Sequence, residues 1–140
     1  MDGMTETTTP PAAAPFELDR WTVLHVAPDQ SMSTVSVDEE TWTGADAVAE
    51  LRDGRIMSIF AYRSSWTWWE RHPVGDELVL VLAGAAVFHV GDAAGDPSVE
   101  LGPGQCLLVP EMVWHRAEVT GPTSMLFVTP SPARTEHRDA

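Results

Sequence analysis

Residues 55–91 read RIMSIFAYRSSWTWWERHPVGDELVLVLAGAAVFHVG. Short apolar runs, rich in β-branched and aromatic residues, are cut by Pro73-Val74-Gly75-Asp76, by Gly84 and by Gly91. The cadence continues through Gly91 to Gly95, Gly102-Pro103-Gly104 and Gly121-Pro122. Glycine supplies backbone angles that other residues resist, and proline removes a ladder donor, so these clusters end strands. The pattern predicts strands at 55–63, 66–73, 77–83, 85–91, 97–101, 105–110, 113–119 and 123–129. No long amphipathic helix interrupts the series. An antiparallel all-β barrel or sandwich is therefore expected, and an alternating strand–helix fold is not.

Working outward, WTVLHVA within Phe16–Ala27 reads as a first strand. Residues 28–44 are polar and read as loop, with a possible edge strand at 33–37. Ala45 to Leu51 offers good helix formers behind Asp46, enough for a helical turn or two. Residues 1–15, rich in Thr, Pro and Ala, have too little apolar surface to offset the entropy of ordering, and a disordered N-terminal tail is expected. The barrel domain is assigned to 16–130. Residues 131–140 form a polar C-terminal tail that either crosses the barrel mouth or hangs free.

The chain has 140 residues, one domain's worth, and a net charge of −13, with every basic residue an arginine. A negative field of that size repels nucleic-acid phosphates and anionic lipids, so neither partner is expected. The apolar run Leu78 to Phe88 is too short to span a bilayer. Met1 to Pro15 has neither the basic start nor the apolar core of a signal peptide. The single cysteine, Cys106, rules out an intrachain disulfide. A cytoplasmic location is expected. Cys106 itself reads as a small buried residue.

The chemistry concentrates in WTWWERHP, residues 66–73. Side chains of a strand alternate between faces. Trp66, Trp68, Glu70 and His72 therefore share one face, and Thr67, Trp69 and Arg71 the other. An acid and an imidazole inside a barrel are costly unless something pairs them. Glu77 opens the next strand after a tight turn, and a hairpin returns it beside His72. His115 joins the same interior if Trp114 faces out. These four polar groups either hydrogen-bond among themselves or hold a metal ion. Trp66 and Trp68 either line a substrate pocket or belong to the core.

Two spacings resemble the paired motifs of the cupin family. Glu70-x-His72-x4-Glu77-x6-Gly84 is similar to the first motif, and Gly104-x5-Pro110-x4-His115 to the second. The resemblance spans roughly residues 55–129 and is closest to the small single-domain cupins. It implies a double-stranded β-helix, the jelly-roll barrel of that family, with one divalent metal inside and often a homodimer. Four positions depart from the motifs. Glu70 stands where the family has its first His, Ser64 and Met112 where it has Gly, and Val119 where it has Asn. On this resemblance the metal ligands are Glu70, His72, Glu77 and His115. Two carboxylates balance a divalent charge and favour Fe²⁺ or Mn²⁺, while Zn²⁺ accepts the same ligands and Ni²⁺ or Co²⁺ are further choices.

The run Leu78–Leu82 is apolar on both faces, which calls for a cover on the outside as well as the inside. A second copy of the chain is the simplest cover, and a homodimer is expected. Trp69 and Trp114, on outward faces, belong either to that interface or to packing by the N-terminal segment. His25, His89 and His137 read as surface or structural residues. No nucleophile motif or phosphate loop appears, so catalytic residues are not assigned. The expected function is that of a metal-dependent enzyme acting on a small organic molecule, with oxygenase, isomerase, lyase or cyclase chemistry. The alternative is a non-catalytic small-molecule-binding module.

Overall fold

The punctuation between residues 55 and 130 is realised as eight consecutive strands in a computed structural model that describes residues 7–8, 14–43 and 48–140. They are β4 (Arg55–Tyr62), β5 (Trp68–Arg71), β6 (Glu77–Ala83), β7 (Ala86–Val90), β8 (Ser98–Leu101), β9 (Cys106–Val109), β10 (His115–Glu118) and β11 (Thr123–Pro130). Before them come β1 (Thr7–Thr8), β2 (Thr22–Val26) and β3 (Met32–Ser36); after them comes β12 (Glu136–Asp139). One sheet has the order β1-β3-β2-β4-β11-β6-β9, the other β12-β5-β10-β7-β8, and every pairing is antiparallel. Among the described residues, no helix is long and apolar enough to cross a membrane.

Alternation along the strands builds the core between the two sheets. β11 buries Thr123, Met125, Phe127 and Thr129 in turn, and β6 buries Glu77, Val79 and Val81. From the opposite sheet Trp66, Phe88, Ala117 and Leu101 meet them. A second cluster, Val23, Val35, Val37, Leu51 and Ile56, extends the core beneath the N-terminal strands. The β6–β7 hairpin turns at Gly84, whose φ of +82° and close approach to the Pro122 carbonyl leave no room for a side chain.

Several elements depart from the reading of the sequence. Helix α1 occupies Glu39–Thr43, inside the stretch read as loop. Asp38 caps it: its carboxylate accepts the backbone N–H of Thr41 at 2.8 Å, while the Asp38 N–H reaches the Thr41 hydroxyl at 3.2 Å. That reciprocal cap stabilises a turn its composition does not advertise. Of the helix expected at 45–51, Leu51 lies in a 3₁₀ turn, Ala49–Arg52, and residues 44–47 lie outside the described residues. The expected disordered tail lies mostly outside them too; within it, Thr7–Thr8 pairs with Val35 and Thr34. Residues 131–140 do not hang free. A 3₁₀ turn, Pro132–Arg134, leads into β12, which zips along β5. Cys106 is exposed, because β9 is an edge strand and Cys106 sits on its outward face.

Candidate metal centre

Three local features bring the four candidate ligands together. Glu70 and His115 are direct cross-strand partners in the β5–β10 ladder. His72 directly follows β5, and its carbonyl accepts the backbone N–H of Met112 at 2.8 Å. Glu111 and Asp76 lace the same two loops: the Glu111 carboxylate accepts the Gly75 N–H at 2.9 Å, and Asp76 accepts the Glu111 N–H at 3.0 Å. The loop carrying the first motif is thus stitched to the loop carrying the second. Met112 takes φ +66° at this junction, a left-handed conformation that glycine adopts without strain.

One donor atom from each of Glu70, His72, Glu77 and His115 lies within 4.8 Å of the others. His115 Nε2 is 3.1 Å from Glu77 Oε1 and 3.3 Å from Glu70 Oε1. His72 Nε2 is 3.2 Å from Glu77 Oε2 and 3.7 Å from Glu70 Oε1. His72, Glu77 and His115 are buried, and the Glu70 side chain is 14% exposed.

Three of the four ligands are held from behind by hydrogen bonds. The Thr129 hydroxyl donates to Glu77 Oε2 at 2.7 Å. His115 Nδ1–H donates to the Val113 carbonyl at 3.0 Å. His72 Nδ1 meets the Thr135 hydroxyl at 2.9 Å. With Nδ1 of His115 committed to a carbonyl, its Nε2 is the nitrogen that faces the cluster.

The donor set fits a divalent ion. An ion with bonds of about 2.1 Å places neighbouring octahedral donors about 3.0 Å apart, near the shorter separations here. His72 Nε2 is buried and lacks a hydrogen bond of acceptable geometry despite two carboxylates nearby. Buried polar atoms are normally satisfied, so this orphan suits a ligand lone pair. His72 and Glu77 with His115 and Glu70 are residues that could hold a metal ion.

The electrostatics point the same way. Burial alone would raise Glu70 and Glu77, yet the neighbouring imidazoles hold both below the usual carboxylate range. Burial likewise opposes the charged imidazoles, but Glu70 and Glu77 raise His72 to about 9 and His115 to about 10. Two buried carboxylates thus require about two positive charges nearby, from imidazolium protons or from one divalent ion.

Glu70, His72 and Glu77 of the cluster line one wall of a cavity of about 360 Å³. Trp42, Phe60, Tyr62, Trp66, Trp68 and Phe127 supply its apolar surface, with Arg20 among the lining residues. Trp66 and Trp68 stack at 5.3 Å and 7°. Trp66 is both core and lining, at 4% exposure. Burial raises the Tyr62 phenol far above its usual range, with the charges of Glu70 and Glu77 adding to the effect.

Trp69 and Trp114 face away from the cavity, and arginines of the same chain stack on them. Arg71 and Arg138 lie 4.5 and 4.4 Å from the Trp114 ring, and Arg116 lies 5.1 Å from Trp69. His25 is structural, its Nε2 within 2.8 Å of the Asp53 carbonyl, and His89 meets Ser98 at 2.9 Å. His137 lines the cavity, which its position in a polar tail did not announce. Thr129, Thr135 and Ser58 also escaped the sequence reading. The inward phase of β4 and β11 could have found Ser58 and Thr129; nothing local marks Thr135.

A family model described as "Cupin domain" matches residues 58–129. Among solved structures, a conserved protein with a double-stranded β-helix domain from Klebsiella pneumoniae superposes with a TM-score of 0.50. It shares 19% identity over 61% of this chain and 70% of that one. A cupin superfamily protein from Desulfitobacterium hafniense gives 28% identity, a TM-score of 0.47, and coverage of 54% and 66%. Hydroquinone 1,2-dioxygenase from Sphingomonas sp. TTNP3 gives 18%, 0.45, and coverage of 54% and 59%. A search of curated proteins finds no significant match.

Proposed function

This chain belongs to the cupin family, and from that premise we propose that it is a metal-dependent enzyme acting on a small organic molecule. The observation that carries the reading is the convergence of Glu70, His72, Glu77 and His115, with His72 Nε2 orphaned, where the first three line an aromatic-walled cavity. Family membership alone would not support it, since one barrel hosts many functions.

His72 and His115 would bind the ion through Nε2, and Glu70 and Glu77 as carboxylates. Fe²⁺, Mn²⁺ or Zn²⁺ suit this oxygen-rich set. A bound ion supplies Lewis acidity toward substrate oxygen, or redox chemistry if it is iron. The chain's own residues do the rest. Trp66 and Trp68 offer a flat apolar surface against which a substrate packs. The aromatic walls exclude water, which strengthens every charge interaction at the cluster. Thr129 keeps the Glu77 carboxylate oriented. The reaction falls within oxygenase, isomerase, lyase or cyclase chemistry.

We further propose a cytoplasmic homodimer. The outward face of the larger sheet carries Leu78, Leu80 and Leu82 of β6 beside Leu108 of β9 and Leu126 and Val128 of β11. Leu108 is 65% exposed and Leu82 is 42% exposed. The net charge of −13 argues against a nucleic-acid partner.

Metal analysis of freshly purified and reconstituted protein tests the central reading. One Fe, Mn or Zn per chain is expected. A protein that never holds a stoichiometric divalent ion overturns the enzyme reading and leaves a small-molecule-binding module.

A further inference from the structure

The family match ends at residue 129, but the cavity wall does not. β12 runs antiparallel to β5 with Glu136 opposite Arg71, His137 opposite Glu70, and Arg138 opposite Trp69. Strand alternation then sorts its side chains. Glu136 and Arg138 face outward, where Glu136 meets Arg71 at 2.6 Å and Arg138 meets Asp92 at 2.6 Å. Thr135 and His137 face the cavity. Thr135 Oγ1 lies 2.9 Å from His72 Nδ1, and His137 Nε2 lies 3.5 Å from Glu70 Oε2. Two of the four candidate ligands are therefore backed by a segment outside the matched domain.

We infer that the segment Thr135–His137 is a working part of the metal centre: Thr135 positions the His72 ring and His137 positions the Glu70 carboxylate. The inference rests on the metal reading above. A ligating imidazole needs its second nitrogen fixed, because that bond sets both the tautomer and the ring plane. When Thr135 Oγ accepts from Nδ1–H, the Nε2 lone pair of His72 faces Glu70, Glu77 and His115. The hydrogen-bond partner of His72 Nδ1 is Thr135, which lies beyond residues 58–129. The Glu136–Arg71 ion pair ties β12 to β5, and Arg138 reaches Asp92 and the Trp114 ring near β7 and β10; together they keep Thr135 and His137 in place.

The test measures Mn²⁺ and Zn²⁺ affinity of the full chain by calorimetry, with circular dichroism as a check on folding. Thr135→Val keeps the side chain's shape and removes its oxygen; Thr135→Ser keeps the oxygen. Thr135→Val is expected to weaken binding by about 10–100-fold, as loss of an outer-shell partner does, with Thr135→Ser close to wild type. His137→Ala, at a half-exposed side chain, is expected to weaken binding less, with His137→Gln recovering part of the loss. In the Zn²⁺ form, the His72 Nδ1 proton should exchange with water faster in Thr135→Val than in wild type. Wild-type protein that binds neither ion overturns the metal reading and this inference with it. Wild-type binding with Thr135→Val and His137→Ala unchanged, or Thr135→Ser as weak as Thr135→Val, overturns this inference alone.

Discussion

Glu70 and His115 face each other across the β5–β10 ladder, and their side chains meet at 3.3 Å. The register explains how a carboxylate can stand where the family's first motif has an imidazole: the strand pairing aims it at His115 whatever its chemistry. Glu70→Ala is expected to lower metal affinity by more than about 100-fold, beyond what an outer-shell loss costs, with the fold intact. Glu70→His should retain an ion and move preference from Mn²⁺ toward Zn²⁺, because imidazole is the softer donor. Competition binding with both ions measures each outcome.

The metal-free protein should respond to pH from both ends. Glu70 and Glu77 raise His72 to about 9 and His115 to about 10 against burial, above the ordinary value of 6.5. Their contribution to stability is complete below about pH 6.5 and is lost as pH rises through 9 to 10. Glu70 and Glu77 are held low, so their contribution is present above the ordinary carboxylate value and lost as pH falls through the lower folded values. The metal-free melting temperature is expected to decline from neutrality to pH 10 and again in strong acid. With Mn²⁺ bound the alkaline decline should vanish, since neutral imidazoles are then the bound form.

The same charges predict proton release. Near neutral pH, uptake of one divalent ion should expel about two protons, one from each imidazole. Calorimetry in buffers of different ionisation enthalpy reads that number directly. Release of none would mean that the rings are already neutral.

Met112, at φ +66°, sits in the second motif's loop, where its N–H bonds the His72 carbonyl. A side chain in that conformation costs about 1–2 kcal/mol relative to glycine, partly offset by the entropy glycine loses on folding. Met112→Gly should therefore stabilise the chain by up to about 1 kcal/mol, read as a higher melting temperature. Met112→Ala should bring no such gain.

Among the described residues, Leu108 is the most exposed large apolar side chain, and it adjoins Leu78 across the β6–β9 pairing. If two copies meet on this sheet, burial of about 800 Å² per partner is expected for a stable association. Light scattering of the wild type should then give a dimer, and Leu108→Glu a monomer with unchanged circular dichroism. A monomeric wild type at high micromolar concentration rejects the association.

Between residues 55 and 130 the fold was legible because glycine and proline punctuate it. β6 occupies the expected 77–83, and the other strands differ from expectation by a residue or two at each end. β5 is shorter than 66–73, although the Trp66 N–H still bonds the Ala117 carbonyl of β10. Period-two alternation was enough to group Trp66, Trp68, Glu70 and His72 on one cavity. It failed for β12, where EHRD has no apolar residue and both faces are polar. Its inner face is set by pairing with β5, a long-range relation that no local pattern encodes. Helix α1 was hidden similarly, since its stability comes from the Asp38 cap more than from its five residues. Cys106 was misread as buried because sequence cannot tell an edge strand from a central one.

The way the chain leaves β12 matters for how the protein is handled. The Ala140 N–H bonds the Thr67 carbonyl at 3.1 Å, so a peptide appended there starts beside the rim formed by β5. A polyhistidine purification tag at that end would put extra imidazoles within reach of the cluster. It would compete for the ions whose stoichiometry is being counted. Cleavable tags at the opposite terminus, with chelator-free elution, keep the metal inventory interpretable.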